Sequence, residues 1–188
     1  KTLLENFLNE TCSVAKSARI SPLATLQGQV FVGENVVIEP TAYIIGPVYL
    51  APGSSVRHGA YVRGPAYIGE RAVVGHSSEV KSSTLLDDAK AAHFAYVGDS
   101  ILGCHVNLGA GTKIANLKLT KTIIKYCDPI TNKRKSSELH KFGAILGDGV
   151  QTGCNSVISP GSLLLPNTSI LPCAHFHGTL KPRAPKTT

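Results

Sequence analysis

The 188 residues are 43% hydrophobic but only 6% aromatic, with no Trp or Met, which excludes a core anchored by large rings and leaves Val, Ile, Leu and Ala to build it. The net charge of +7 is uneven: residues 117–141 carry Lys118, Lys121, Lys125, Lys133, Arg134, Lys135 and Lys141 against Asp128 and Glu138, seven minus two, or +5. No zinc-finger spacing or RNA-binding signature accompanies these cations, and no run reaches transmembrane length, so neither nucleic acid nor a membrane span is expected.

Five cysteines, at 12, 104, 127, 154 and 173, form no CxxC pair. They read as free thiols in a reducing compartment. With no signal peptide evident at the start, a cytoplasmic location is expected.

In chain order, Leu3, Leu4, Phe7 and Leu8 stand at helical spacing, so residues 1–19 are expected to form a short N-terminal helix and a linker. From there a period of six takes over. Aliphatic residues recur at Ile20, Leu26, Val32, Ile38, Ile44, Leu50, Val56, Val62, Ile68, Val74 and Val80. Four positions after each comes a small or β-branched residue, from Ala24 and Val30 through to Ser78 and Thr84. The frame continues at Leu85, Ala91, Val97, Leu102, Leu108 and Ile114 with two spacings of five, and resumes at Leu146, Thr152, Ile158, Leu164 and Ile170.

A period of six is neither a helix nor a long strand. It describes a short strand followed by a sharp corner, and Gly, Pro and Asn recur in the corners, as at Gly33-Glu34-Asn35 and Ala51-Pro52-Gly53. Three units make one triangular coil, and the coils stack at strand spacing. The fold class is therefore all-β, a parallel β-helix of hexapeptide repeats over residues 20–175. Residues 117–141 interrupt it as a long inserted loop or protruding hairpin, with Leu117, Leu119 and Ile123-Ile124 as candidate strand residues. Residues 176–188 are expected to be an irregular basic tail.

In such a coil, residues 17 or 18 apart become neighbours. Arg63 and Lys81 then stack, either as a solvated charged edge or as a clamp for an anion such as phosphate. Tyr61, Glu79 and Tyr96 share a second column, and His58, His76, His93 and Ala110 a third. A carboxylate beside an imidazole fixes its tautomer and raises its basicity. Stacked histidines could also bridge a metal between subunits, but no metal spacing is completed within the chain, and no metal is expected. Gly98-Asp99-Ser100 and the Asn107–Thr112 stretch offer backbone amides that a ligand could approach closely, one of which could stabilise an oxyanion.

The segments "EVKSS", "AHFAYVGDS", "NLGAGTKIANLK" and "FGAILGDGVQTG" resemble the acetyltransferase domain of bifunctional glucosamine-1-phosphate acetyltransferase/N-acetylglucosamine-1-phosphate uridylyltransferase. They are closer still to the archaeal-type sugar-phosphate nucleotidyltransferases that carry such a domain. The resemblance spans roughly residues 20–172. It implies a left-handed coil, a homotrimer with sites between subunits, and acetyl-CoA as co-substrate. It implies His93 as the general base, Glu79 as the carboxylate that orients it and the Ala110 amide as the oxyanion donor. Arg63, Lys81, Tyr96, Asn107, Asn116 and Lys118 become sugar-phosphate contacts, and Cys154 a contact on the CoA side. The function so implied is N-acetylation of an amino-sugar 1-phosphate, with glucosamine-1-phosphate first among them, in UDP-N-acetylglucosamine synthesis. Without a Gly-rich nucleotide loop in this sequence, uridylyl transfer would fall to a separate nucleotidyltransferase. The alternatives are an acyltransferase for another nucleotide sugar and a non-catalytic hexapeptide scaffold that binds sugar nucleotides.

Overall fold

A computed structural model describes residues 13–182. The expected N-terminal helix lies outside the described residues. Within them the chain winds as a left-handed parallel β-helix, all-β and without a helix. Its three faces are eight-stranded parallel sheets. The first face runs from Arg19–Ile20 to Ser169–Ile170, the second from Thr25–Gln27 to His175–Phe176, and the third from Val30–Val32 to Thr179–Leu180. Apart from the two strands of the insertion, consecutive strands occupy successive faces, so each pairs with the one a full coil away.

The period of six is visible as burial. Val32, Ile44, Leu50, Val56, Val62, Ile68, Val74, Val80, Leu85, Ala91, Val97, Leu102 and Ile114 have no exposed surface, and Ile20 and Leu26 pack partly buried against this core at its open end. Burying each Val, Leu or Ile of this series contributes roughly 1.5–3 kcal/mol. Corners need a residue with positive φ, and the first-to-second corner supplies Thr41, Gly59, Ser77, Phe94, Gly111, Asn155 and Cys173 in turn. Gly75 answers a different demand. A Cβ there would lie 1.8 Å from the Ala92 carbonyl oxygen, so only glycine lets adjacent coils close just before His76 and His93.

Three expectations shift. The small-residue series ends on Thr84, but the small residue buried at that corner is Ser83, 3% exposed, and Thr84 stands in register with Tyr67 and Ile101. The Val80-to-Leu85 spacing of five moves that corner by one residue. The insertion is a hairpin, but its strands are Lys125–Cys127 and Arg134–Ser136, antiparallel, rather than the apolar positions before them. A two-stranded surface ribbon does not require apolar alternation, and Leu119 is fully exposed. Finally, the coil does not give way to an irregular tail at residue 176. His175–Phe176 pair with Val157–Ile158, and Thr179–Leu180 with Leu163–Leu164, because Phe176 and Leu180 still supply apolar cover.

Candidate active site

Two polar clusters form at opposite ends of the second face's strands. The first lies at the corner leading into that face. His76 stands in register with His93, and the His58 and His76 rings stack at 5.2 Å. His58 and His76 are tied down: Thr41 Oγ1 lies 2.9 Å from His58 Nδ1, and the His58 carbonyl lies 3.1 Å from His76 Nδ1. The His93 ring is exposed and has no hydrogen bond among the described residues. It is therefore the member of the column with both nitrogens available.

One coil further on is the turn Gly109–Thr112. Thr112 N–H donates to the Gly109 carbonyl (3.1 Å), and Gly111, at φ +76°, donates to the His93 carbonyl (2.9 Å). A left-handed third residue makes this a type II turn, which leaves the amide of its second residue unused. That amide belongs to Ala110, and it has no acceptor among the described residues. Thr152 occupies a core position that other coils give to an aliphatic, and its hydroxyl lies 2.8 Å from Thr112 Oγ1 and accepts from Gly109 N (3.1 Å). The Thr112 hydroxyl also donates to the Gly109 carbonyl at 2.8 Å. This hydroxyl pair holds the turn that presents Ala110. The exposed Cys154 takes the same corner position one coil later, where Asn155 N–H donates to the Ala110 carbonyl (2.8 Å).

The second cluster lies at the far end of the same strands. Arg63 and Lys81 stack in register, as do Tyr61, Glu79 and Tyr96. Each cation has a carboxylate from within the chain. Arg63 donates to Glu79 Oε1 through both Nε and Nη2, and its guanidinium lies 5.2 Å from the Tyr61 ring centroid. Lys81 Nζ donates to Asp99 Oδ2 at 2.8 Å, and Asn116 Nδ2 donates to that same oxygen. The hydrogen bond to Glu79 raises the Arg63 pKa, so this guanidinium stays charged at any working pH. Burial raises the Tyr96 phenol pKa, with Glu79 and Asp99 adding to it. Tyr96 and Asn116 close on Gly98, where a Cβ would lie 2.8 Å from the phenol oxygen and 2.7 Å from the amide nitrogen.

The structure thus joins Arg63, Glu79, Lys81, Tyr96 and Asn116 at one edge and His93, Ala110 and Cys154 at the other. Glu79 is bonded to Arg63, not to His93. Asn107 lies on the first face in register with Lys90 and Gln151, apart from both hydrogen-bonded sets. Lys118 points into the hairpin, its Nζ donating to the Ile123 carbonyl at 2.9 Å. Two contributors escape a reading by columns of cations and histidines. Asp99 follows Gly98, the register partner of Lys81, so a column drawn at the local spacing of 17 passes it by. Thr152 announces itself as the polar exception in the aliphatic series. Among the described residues no group of three His, Cys, Asp or Glu side chains is placed to hold a metal.

Fold and corner chemistry together define the class as a hexapeptide-repeat left-handed β-helix. The fold alone is shared with the UDP-N-acetylglucosamine acyltransferases of Francisella novicida (TM-score 0.54, 10% identity, 84% of this chain and 62% of that one) and Bacteroides fragilis (TM-score 0.54, 12% identity, 89% and 68%). The family model described as "GMPPB C-terminal domain" matches residues 44–175, and the chain belongs to that family. Over 83 residues it is 45% identical to the bifunctional sugar-1-phosphate nucleotidylyltransferase/acetyltransferase of Sulfurisphaera tokodaii. Over another 83-residue match it is 41% identical to the bifunctional protein GlmU of Methanocaldococcus jannaschii. Each match covers 44% of this chain and 20% of the relative, so the chain spans about a fifth of those proteins.

Proposed function

We propose that this domain is an acetyl-CoA-dependent N-acetyltransferase acting on an amino-sugar 1-phosphate, with glucosamine-1-phosphate as the first candidate. The observation that carries the proposal is the pairing of an exposed, unengaged His93 ring with the free Ala110 N–H one coil beyond. A neutral imidazole there takes a proton from the sugar amine as nitrogen attacks the thioester carbonyl. The Ala110 amide receives the oxyanion, and the thiolate of CoA leaves and is protonated. A positioned base contributes about 10²–10⁴-fold in rate. The three-residue strand Tyr96–Gly98 separates this corner from the Arg63–Lys81 edge by roughly 10 Å, at about 3.3 Å per residue. That span suits a sugar whose phosphate reaches toward the cations while its amine reaches toward His93. In this reading the active protein is a homotrimer that completes each site between subunits, and nucleotidyl transfer belongs to a separate domain or chain.

The test is a thiol-release assay with acetyl-CoA and glucosamine-1-phosphate, run against galactosamine-1-phosphate. His93→Ala should remove nearly all turnover while the coil stays folded, and unchanged turnover in that variant would falsify the assignment. One observation favours a second reading, a non-catalytic scaffold that binds sugar nucleotides: Glu79 is engaged by Arg63 and leaves His93 without a carboxylate. Binding of acetyl-CoA with no product from any amino sugar would decide for that reading.

A further inference from the structure

The basic hairpin closes over a groove of ≈ 750 Å³ that neither cluster uses. That volume falls within the range of small-molecule sites. Its walls are fixed in place. Ile124, at the base of the hairpin, is fully buried, and Ser137 Oγ donates to its carbonyl at 2.7 Å. Thr179 Oγ1, on the last strand, donates to the Cys127 carbonyl at 2.6 Å. Hairpin and coil also meet closely at Gly161 (φ +79°), where a Cβ would lie 2.7 Å from both the Ile124 side chain and the Lys125 carbonyl. The groove is therefore preformed.

The charge in it is uncompensated. Among the cations of the insertion, Lys135 is paired with Asp128, and Lys118 is directed to the Ile123 carbonyl. Lys125 and Arg134 both line the groove, both are exposed, and neither has an acidic partner among the described residues. Leu117, Leu119 and Pro160 provide apolar lining. Two cations over an apolar floor complement a ligand that has an anionic end and a flat apolar ring.

We propose that this groove binds a nucleoside phosphate, with the phosphates on Lys125 and Arg134 and the base on the apolar floor of Leu117 and Pro160. The groove lies at the second-to-third corner, whereas Ala110 and Cys154 lie at the first-to-second corner. It is thus separate from the place where a thioester would react, and the inference does not depend on acetyl transfer.

The experiment is calorimetric titration of the full chain with ADP, adenosine and inorganic phosphate, with hydrogen–deuterium exchange to locate binding. ADP should bind, protect residues 124–136 and weaken as NaCl is raised. Adenosine and phosphate should each bind at least tenfold more weakly than ADP. The double variant Lys125→Gln/Arg134→Gln should lose at least tenfold in ADP affinity with an unchanged melting temperature, and Arg134→Gln alone should show part of that loss. Leu117→Ala should weaken ADP but not phosphate. The proposal is overturned if ADP gives no heat, if adenosine binds as well as ADP, if phosphate alone binds as well, or if the double variant binds like the native protein. Competition then identifies the natural source: displacement by coenzyme A points to the nucleotide end of a thioester, and displacement by UDP- or GDP-sugars to a nucleotide sugar. Either supports the site, and no turnover assay enters the result.

Discussion

Lys81 Nζ and Asp99 Oδ2, one coil apart, meet at 2.8 Å with side chains only 17% and 11% exposed. Two stacked cations, Arg63 and Lys81, are tolerated at this edge because the chain places Glu79 and Asp99 against them. Removing Asp99 leaves a poorly hydrated ammonium without its acceptor. Hydrogen bonds to charged groups contribute about 1.5–3 kcal/mol, so Asp99→Ala should lower the unfolding free energy by about that much in urea titration. Asp99→Asn should cost less, because the amide oxygen can still accept from Lys81. The same variant should strengthen binding of inorganic phosphate at Lys81, since a competing anion is gone. An unchanged urea midpoint in Asp99→Ala would show that water already satisfies the lysine.

The Ala110 amide can be removed without disturbing its turn. Ala110 is the second residue of a type II turn, a position that favours proline. The coil itself uses proline there: Pro40 and Pro172 occupy the same corner of other coils, each followed by a left-handed residue, Thr41 and Cys173. Ala110→Pro should therefore fold with a melting temperature equal to or slightly above the native value. Loss of one oxyanion donor costs about 10²–10³ in kcat, with little change in KM. A folded Ala110→Pro enzyme with native kcat would remove this amide from the mechanism.

Burial, followed by nearby carboxylates, raises the phenol pKa of both Tyr96 and Tyr67 above the ordinary value of 10.0. The folded state holds these protons more tightly than the unfolded chain does. Their contribution to stability is complete below pH 10 and is lost as pH rises through the folded values. A phenolate titration at 295 nm should show a phase above the ordinary value of 10.0, and Tyr96→Phe should reduce its amplitude. If Tyr96→Phe leaves the titration above pH 10 unchanged while the coil remains folded, the strand environment of Tyr96 is wetter than the packing indicates.

Most of the coil is legible in the sequence because each inward position is set by one local rule repeated along the chain. From Val32 to Ile114 the aliphatic series and the buried series coincide. Legibility fails where the unit length changes, as at Ser83 and Thr84, because a spacing of five moves the corner without altering composition. Columns also survived: Arg63 with Lys81, and Glu79 with Tyr96, are neighbours as the spacing of 17 or 18 requires. Which partner each side chain selects is not fixed by columns. Glu79 lies within reach of more than one group, and the long, flexible Arg63 reaches it across one coil. The hairpin strands were not legible because a surface ribbon is held by its turn and its anchors, not by an apolar face.

That turn yields the last prediction. Asp128 accepts from the Ile130 and Thr131 amides at 2.9 and 2.8 Å and from Lys135 Nζ across the ribbon. The lysine, followed by the amides, holds this carboxyl well below the ordinary value of 3.8. A lowered pKa means that the contribution of Asp128 to hairpin stability is present above about pH 4 and is lost as pH falls through the folded value. The Ile130 and Thr131 amide shifts should report that titration at a pH clearly below the ordinary carboxylate value of 3.8, whereas a midpoint near 4 would deny the contact. At neutral pH, Asp128→Ala should remove the acceptor of both amides and the cross-strand pair together. Trypsin should then cut after Lys133 and Arg134 faster than in the native chain, while the thermal midpoint of the coil stays within a few degrees, because the hairpin's anchors at Ile124 and Thr179 remain.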